Sequence, residues 1–146
     1  FYKYKLITFT LNLKENTMAY TPPDQVISPK SQVSGPIVVL YDEGEGGFAI
    51  ASLFWDSNPA IGMRWNGSIN HPGNPQSRGV PVWFILDDRF VEAILKEILR
   101  VGPKDKQAEH FIRRWLGDTD INSDDFEERF LNTYKKLKNS GLINLS

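Results

Sequence analysis

The stretch RWNGSINHPGNPQSRGVPVWF, residues 64–84, concentrates the residue types in this chain that suit ligand binding. Arginine guanidinium groups bind phosphate or carboxylate through paired hydrogen bonds. Amide and hydroxyl side chains can bind a base edge or a ribose, and tryptophan faces can stack on a base. The candidate ligand-binding residues are Arg64, Trp65, Asn66, Asn70, His71, Asn74, Gln76, Ser77, Arg78 and Trp83.

The segment between the two tryptophans follows neither a helical nor a strand pattern. A connection of this length without secondary structure of its own is often functional. We therefore expect a non-enzymatic protein that binds a nucleotide-like or other phosphate-bearing ligand, including short single-stranded nucleic acid, through the 64–79 loop. The other explanation is a rigid structural loop, because proline and asparagine also build turns that bind no ligand.

Two other functions compete with ligand binding. The first is a protein-interaction or inhibitor module that uses an aromatic helical tail and acts as a homodimer. The second is a hydrolase in which His71 works with a nearby carboxylate, since histidine is the commonest general base. A cleft that joins Arg64, Arg78 and a tryptophan face would favour the ligand-binding function.

Composition excludes several classes of chemistry. The chain has no cysteine, so it has no disulfide, thiolate metal site or cysteine nucleophile. Its two histidines, His71 and His110, show no metal-ligand spacing. The acidic turn at 42–47 lacks the ligand order of a calcium loop, and no phosphate-binding or hydrolase motif occurs. We expect no metal and no cofactor, and the net charge of −1 argues against a duplex-coating protein.

Two further expectations concern location and the start of the chain. No apolar run reaches the length of a membrane-spanning helix, so we expect a cytoplasmic protein with no membrane partner. Residues 1–17 precede Met18, which has the character of an ordinary start. Those residues are therefore non-native sequence, a trimmed end, or a strand over Tyr4–Leu11.

The hydrophobic pattern predicts an α+β domain. Four strands are expected in an antiparallel meander, or five if the N-terminal strand is real, and three helices should follow. Phe48–Trp55 is apolar on both faces, which indicates a central strand. In the third strand we expect Trp65 to point inward and Arg64 to point outward. The expected strands are Ile37–Tyr41, Phe48–Trp55, Ala60–Trp65 and Val80–Leu86.

The helices are recognised by apolar residues at helical spacing and by their caps. Asp87 should cap the first helix, and Gly102 should end it. The second helix is expected over Lys104–Leu116 and the third over Asp124–Asn139. In terms of organisation, residues 1–36 form an N-terminal arm and residues 37–102 form the sheet with its first helix. Residues 103–146 form a helical extension of the same domain.

Overall fold

The computed structural model describes residues 18–117 of the chain. Within that range a 3-10 helix (Pro23–Gln25) precedes six strands and two helices. These are β1 (Val33–Asp42), β2 (Phe48–Trp55), β3 (Asn58–Trp65), β4 (Gln76–Ser77), β5 (Val80–Pro81), β6 (Phe84–Ile85), α1 (Asp88–Val101) and α2 (Lys106–Trp115). The α+β class is confirmed. The expected helix over Asp124–Asn139 and the expected strand over Tyr4–Leu11 lie outside the described residues.

The main sheet is antiparallel with strand order β1-β2-β3-β6, while β4 and β5 pair separately as a small hairpin. The meander is thus continuous through β3, and the hairpin interrupts it before β6. The prediction of one strand over Val80–Leu86 is wrong, because only its second part joins the sheet. Pro81 has no N–H to donate to a ladder, and the carbonyl of Val82 accepts a hydrogen bond from the Arg64 side chain instead.

A tight turn fixes the register of the two central strands. Asp56 and Ser57 both have positive φ, 47° and 65°, as the two central residues of a type I′ hairpin turn require. The pairing then runs without a break from Trp55 opposite Asn58 to Phe48 opposite Trp65. β3 therefore begins two residues earlier than the sequence predicted.

Both faces of the sheet are covered, so β2 is buried over all but its two end residues. On one face, called here the helix side, Ile50 and Phe54 pack with Leu95 of α1 and Ile112 of α2. On the opposite face, Ala51 and Leu53 pack with Val26 and Trp83. The segment predicted as an irregular arm supplies Val26, and its carbonyl accepts a hydrogen bond of 2.8 Å from the indole of Trp83.

The helices begin and end at residues that satisfy their terminal backbone groups. The side chain of Asp87 accepts from Arg89 N and caps α1, and Gly102 follows its last turn, as predicted. Asp105 caps α2 by accepting from Ala108 N. Lys104 N donates to Leu40 O at 2.8 Å, which ties the connection between the helices to β1. Neither of these helices is long and apolar enough to cross a membrane.

Gly62 provides the first test of the fold. It lies opposite Ala51, and a Cβ at this position would approach Trp83 Cε3 to 3.0 Å and Leu53 Cδ2 to 2.9 Å. Overpacking of a well-filled core typically costs about 1–3 kcal/mol. We expect Gly62→Ala to lower the free energy of unfolding by about that amount in urea titration. An unchanged value would mean that Trp83 does not pack against this strand.

Candidate functional site

The 64–79 loop closes on itself through two glycines, at which there is no room for a side chain. A Cβ on Gly67 would lie 2.1 Å from His71 O, and one on Gly73 would lie 2.2 Å from Trp65 O. Gly73 also has φ +79°, a conformation that glycine adopts readily. These two glycines therefore let two parts of the loop approach each other closely.

Backbone hydrogen bonds hold the loop in this closed form. Trp65 N donates to Asn74 O at 2.7 Å, and Asn74 N donates back to Trp65 O at 3.0 Å. Ser68 and His71 exchange a second pair of bonds at 2.9 and 3.1 Å. The loop is therefore an ordered element, and its side chains project from a defined backbone.

The acidic turn at 42–47 supports the loop from one side. Asn66 donates its backbone N–H to Gly47 O and its side-chain amide to Asp42 Oδ1 and Gly44 O. Glu45 accepts a hydrogen bond of 3.1 Å from Ile69 N. The carboxylates of this turn thus satisfy backbone and amide donors of the protein itself. Across residues 18–117 there is no group of three or more side chains arranged to hold a metal ion.

Arg64 is buried, and the expectation that it faces solvent is wrong. Its side chain does leave the strand opposite to Ile61, Met63 and Trp65, but the loop folds over it and leaves the residue 2% exposed. Its guanidinium donates to Val82 O at 2.7 Å and to Pro72 O at 2.5 Å. Burial away from water lowers the pKa of Arg64 below its ordinary value.

The two tryptophans do not form one stacking cleft. Trp83 is 3% exposed and lies on the face opposite the helices, where Arg64 Cζ is 5.9 Å from its ring centroid. Trp65 lies on the helix side and is 57% exposed, so the expectation that it points inward is wrong. The physical reason is that α1 and α2 cover the middle of this face and leave the end of β3 uncovered.

Arg78 occupies the tip of the β4–β5 hairpin. Ser77 pairs with Val80, so Arg78 and Gly79 are the two turn residues, with φ 51° and 78°. Gln76 steadies the turn, because its side-chain oxygen accepts from Gly79 N at 2.6 Å. Arg78 is exposed, and no side chain in the described part of the chain forms an ion pair with it.

His71 serves the loop backbone. Its Nδ1 accepts a hydrogen bond of 3.0 Å from Gly73 N, and no carboxylate among residues 18–117 hydrogen-bonds to it. Asn70, with φ +67°, is similarly engaged. Its side-chain oxygen accepts from Met18 N, and its own N–H donates to Met18 O. This pair of bonds attaches the start of the described chain to the loop.

The structure therefore divides the predicted site residues into four groups. Arg64, Asn66 and Trp83 are buried supports, and Asn70 and His71 are exposed but bonded within the loop and to Met18. Trp65 is exposed on the helix side of the sheet. The remaining exposed residues lie on or beside the hairpin, and these are Asn74, Gln76, Ser77 and Arg78.

Two residues near this region were missed in the sequence. Burial first, then the charges of Asp42 and Glu45 in the acidic turn, raise the pKa of Tyr20. No local pattern marks Tyr20, because the chain reaches this position only through tertiary folding. Phe84 is 59% exposed, whereas its neighbour Trp83 is buried.

Comparisons with protein-family models, with curated proteins and with solved structures found no match.

The role of Arg64 can be tested through stability. Arg64→Met keeps most of the side-chain volume but leaves the carbonyls of Pro72 and Val82 without their donor. Loss of a hydrogen bond from a charged group typically costs about 1.5–3 kcal/mol, and we expect a decrease of that size in the free energy of unfolding.

Arg100→Met is the matched control, because that side chain is 71% exposed on α1 and its loss should leave stability nearly unchanged. Arg64→Lys should fall between the two, because an ammonium group lacks the guanidinium fork. Equal stability of Arg64→Met and the unsubstituted chain would show that the loop does not depend on this arginine.

Proposed function

We propose that this is a non-enzymatic binding protein, and that Arg78 at the tip of the β4–β5 hairpin binds a phosphate-bearing ligand such as a nucleotide. The observation that carries the proposal is the backbone of Arg78, which has φ +51°. A non-glycine residue in this region costs about 1–2 kcal/mol, and asparagine or glycine is normally found there. A strained residue that persists at an exposed tip supports a functional role for its side chain.

The rest of the loop provides the rigid base that such a contact needs. Loop closure at Gly67 and Gly73, the buried Arg64 and the attachment to the acidic turn all restrict the backbone below the hairpin. A loop whose backbone is already ordered loses less conformational entropy when its ligand arrives. Ser77, which precedes Arg78 in the hairpin, and Asn74, which precedes the hairpin in the chain, are exposed and offer hydroxyl and amide groups for a sugar or base.

Fewer residues are proposed to contact the ligand than the sequence suggested. Arg64 and Trp83 act as supports for the hairpin, since both are buried. Direct ligand contacts are proposed for Arg78, with Ser77, Gln76 and Asn74 beside it.

The two other functions remain proposals with less support. The protein-interaction function depends on the aromatic helical tail, and the later residues of that tail lie outside the described range. The hydrolase would need His71 as a base, whereas His71 Nδ1 already accepts a backbone hydrogen bond and has no carboxylate partner in the described part of the chain.

Substitution of Arg78 by asparagine separates ligand binding from stability. Asparagine suits positive φ, so Arg78→Asn should stabilise the protein by about 1 kcal/mol and raise the melting temperature by a few degrees. Loss of the charge-assisted contact, typically about 1.5–3 kcal/mol, should weaken ligand binding roughly ten- to a hundredfold. The measurement is a thermal-shift titration with inorganic phosphate, nucleoside mono- and triphosphates and short oligonucleotides.

Arg78→Lys is the matched control, because it retains the positive charge and should retain part of the binding. Arg89→Asn removes an arginine whose side chain is 80% exposed on α1 and should leave the ligand response unchanged. If none of these ligands shifts the melting temperature of the unsubstituted chain, or if Arg78→Asn retains the full shift, the proposed function is wrong.

A further inference from the structure

Asn66 and Gly67 form a chemically reactive pair, and no other asparagine of the chain is followed by glycine. The backbone nitrogen that follows an asparagine can attack the carbonyl carbon of its side chain, and this reaction converts the amide to a carboxylate. Glycine in the second position speeds the attack, because it has no side chain to obstruct the approach and its backbone is the most mobile. Asparagine is accordingly counted among the thermolabile residues of proteins.

The reaction needs only water as a second reactant. Gly67 N loses its proton and bonds to Asn66 Cγ, while the bond from Cγ to Nδ2 breaks and ammonia leaves with that proton. The two residues are then joined in a five-membered succinimide ring. Water opens the ring at one of its two carbonyls, and the products are aspartate with the normal backbone or isoaspartate with the backbone running through the side chain. In both products the neutral amide has become a carboxyl group that is ionised at neutral pH.

Closure of the loop requires both members of the pair. A Cβ on Gly67 would lie 2.1 Å from His71 O, so no residue with a side chain fits there. The side-chain amide of Asn66 donates hydrogen bonds to Asp42 Oδ1 at 2.9 Å and to Gly44 O at 2.8 Å. Aspartate has the same shape but no N–H to donate. The loop therefore cannot exchange either residue for a less reactive one and keep the same contacts.

The closed loop also restrains the reaction. Asn66 is 5% exposed, and its side-chain amide is held by two hydrogen bonds to the acidic turn. Its backbone N–H donates to Gly47 O at 2.7 Å, and Gly67 O accepts from Gly46 N at 2.9 Å. Ring formation releases Nδ2 from both acceptors, and the hydrolysis that follows needs water at a residue that is buried. The reaction therefore requires a local opening of the loop.

Neither product fits the closed loop. In aspartate, one carboxylate oxygen would replace Nδ2 beside Asp42 Oδ1 and Gly44 O, which are both acceptors. The other would replace Asn66 Oδ1, which is buried and has no hydrogen-bond donor in the described part of the chain. Two carboxylates in contact repel each other, and a buried charge without a donor is costly. Isoaspartate adds an atom to the backbone next to Gly67, where there is no room even for a Cβ.

We infer that Asn66 is a modification site, at which spontaneous deamidation detaches the loop from the acidic turn. The closed loop protects the amide, each opening exposes it to reaction, and conversion makes the detachment permanent. The loop is thus a one-way switch whose rate is set by how often it opens. The inference does not depend on a ligand at Arg78, because the reactive pair and its restraints all belong to the protein.

Peptide mapping by mass spectrometry on the full chain tests the inference. The unsubstituted protein is incubated in neutral buffer and in denaturing urea, and conversion of amide to carboxyl is followed at each asparagine. We expect conversion at Asn66 to be roughly tenfold or more faster in urea, since protection by a folded segment scales with the free energy of its opening. Asn58 and Asn74 are internal controls that should stay unchanged, because each precedes a proline, whose nitrogen has no proton to lose.

Arg64→Met separates opening of the loop from unfolding of the chain. It removes the donors to Pro72 O and Val82 O but leaves the reactive pair unchanged. Under conditions in which the variant is still folded, conversion at Asn66 should be several-fold faster than in the unsubstituted chain. Arg100→Met is the matched control and should react at the unsubstituted rate.

Asn66→Asp shows the effect of conversion directly and does not require the arginine variant to fold. In the unsubstituted chain, Ile69 N donates to Glu45 Oε1 at 3.1 Å and Gly46 N donates to Gly67 O at 2.9 Å. Hydrogen exchange at these two amides therefore reports the attachment of the loop to the acidic turn. We expect both to exchange several-fold faster in Asn66→Asp, while the amides of α1 keep their protection.

Three results would each overturn the inference. The first is an equal rate of conversion at Asn66 in buffer and in urea. The second is a folded Arg64→Met chain that reacts no faster than Arg100→Met. The third is unchanged exchange at Ile69 and Gly46 in Asn66→Asp, which would show that conversion does not detach the loop.

Discussion

The buried guanidinium of Arg64 is the contact on which the closed 64–79 loop depends. It donates to the carbonyls of Pro72 and Val82, and it lies over the ring of Trp83. One side chain thus joins β3, the middle of the loop and the segment that leads into β6. Five donors in a planar fork allow arginine to hold two carbonyls at once, whereas an apolar side chain would leave both without a partner.

The burial of this charge also explains which residues pack on the face of the sheet opposite the helices. A buried cation is tolerated when hydrogen bonds replace the water that it has lost. The indole of Trp83 covers the guanidinium, and Val26 O fixes the indole through its N–H. Gly62 lies on β3 next to the Trp83 side chain and leaves the space that the indole ring needs. The 3-10 helix region, the strand and the loop are therefore parts of one packed layer.

The consequence of this arrangement is a division between rigid and exposed parts of the same loop. The part of the loop that follows β3 is closed by the hydrogen bonds between Trp65 and Asn74 and by its contacts with the acidic turn. The other part is the β4–β5 hairpin, whose two-residue turn holds Arg78 in a backbone conformation that arginine disfavours. Such a combination places the backbone of Arg78 at a defined position on an ordered hairpin. The exposed ring of Trp65 lies on the other side of β3 from Arg64, because side chains alternate along a strand.

The sequence by itself determined the elements with strong local signals. Alternation and length identified β2 with its observed bounds, the apolar character of both its faces indicated its central position, and Asp87 and Gly102 marked the limits of α1. These features depend on residues close together in the chain, where period and capping chemistry decide the structure. The same reasoning located the 64–79 loop as the unusual segment and assigned Arg64 and Trp65 to opposite faces of β3.

Only the tertiary structure decided which of those faces is buried. Alternation gives two sides of a strand but does not say where the covering elements end, and here the helices stop short of Trp65 while the loop folds back over Arg64. The split of the expected strand at Pro81 and Val82 has a similar origin, because the competing partner of Val82 O is a side chain eighteen residues away in sequence. Whether a side chain is buried or exposed depends on packing between segments that are distant in the sequence. The local pattern of residues does not contain this information.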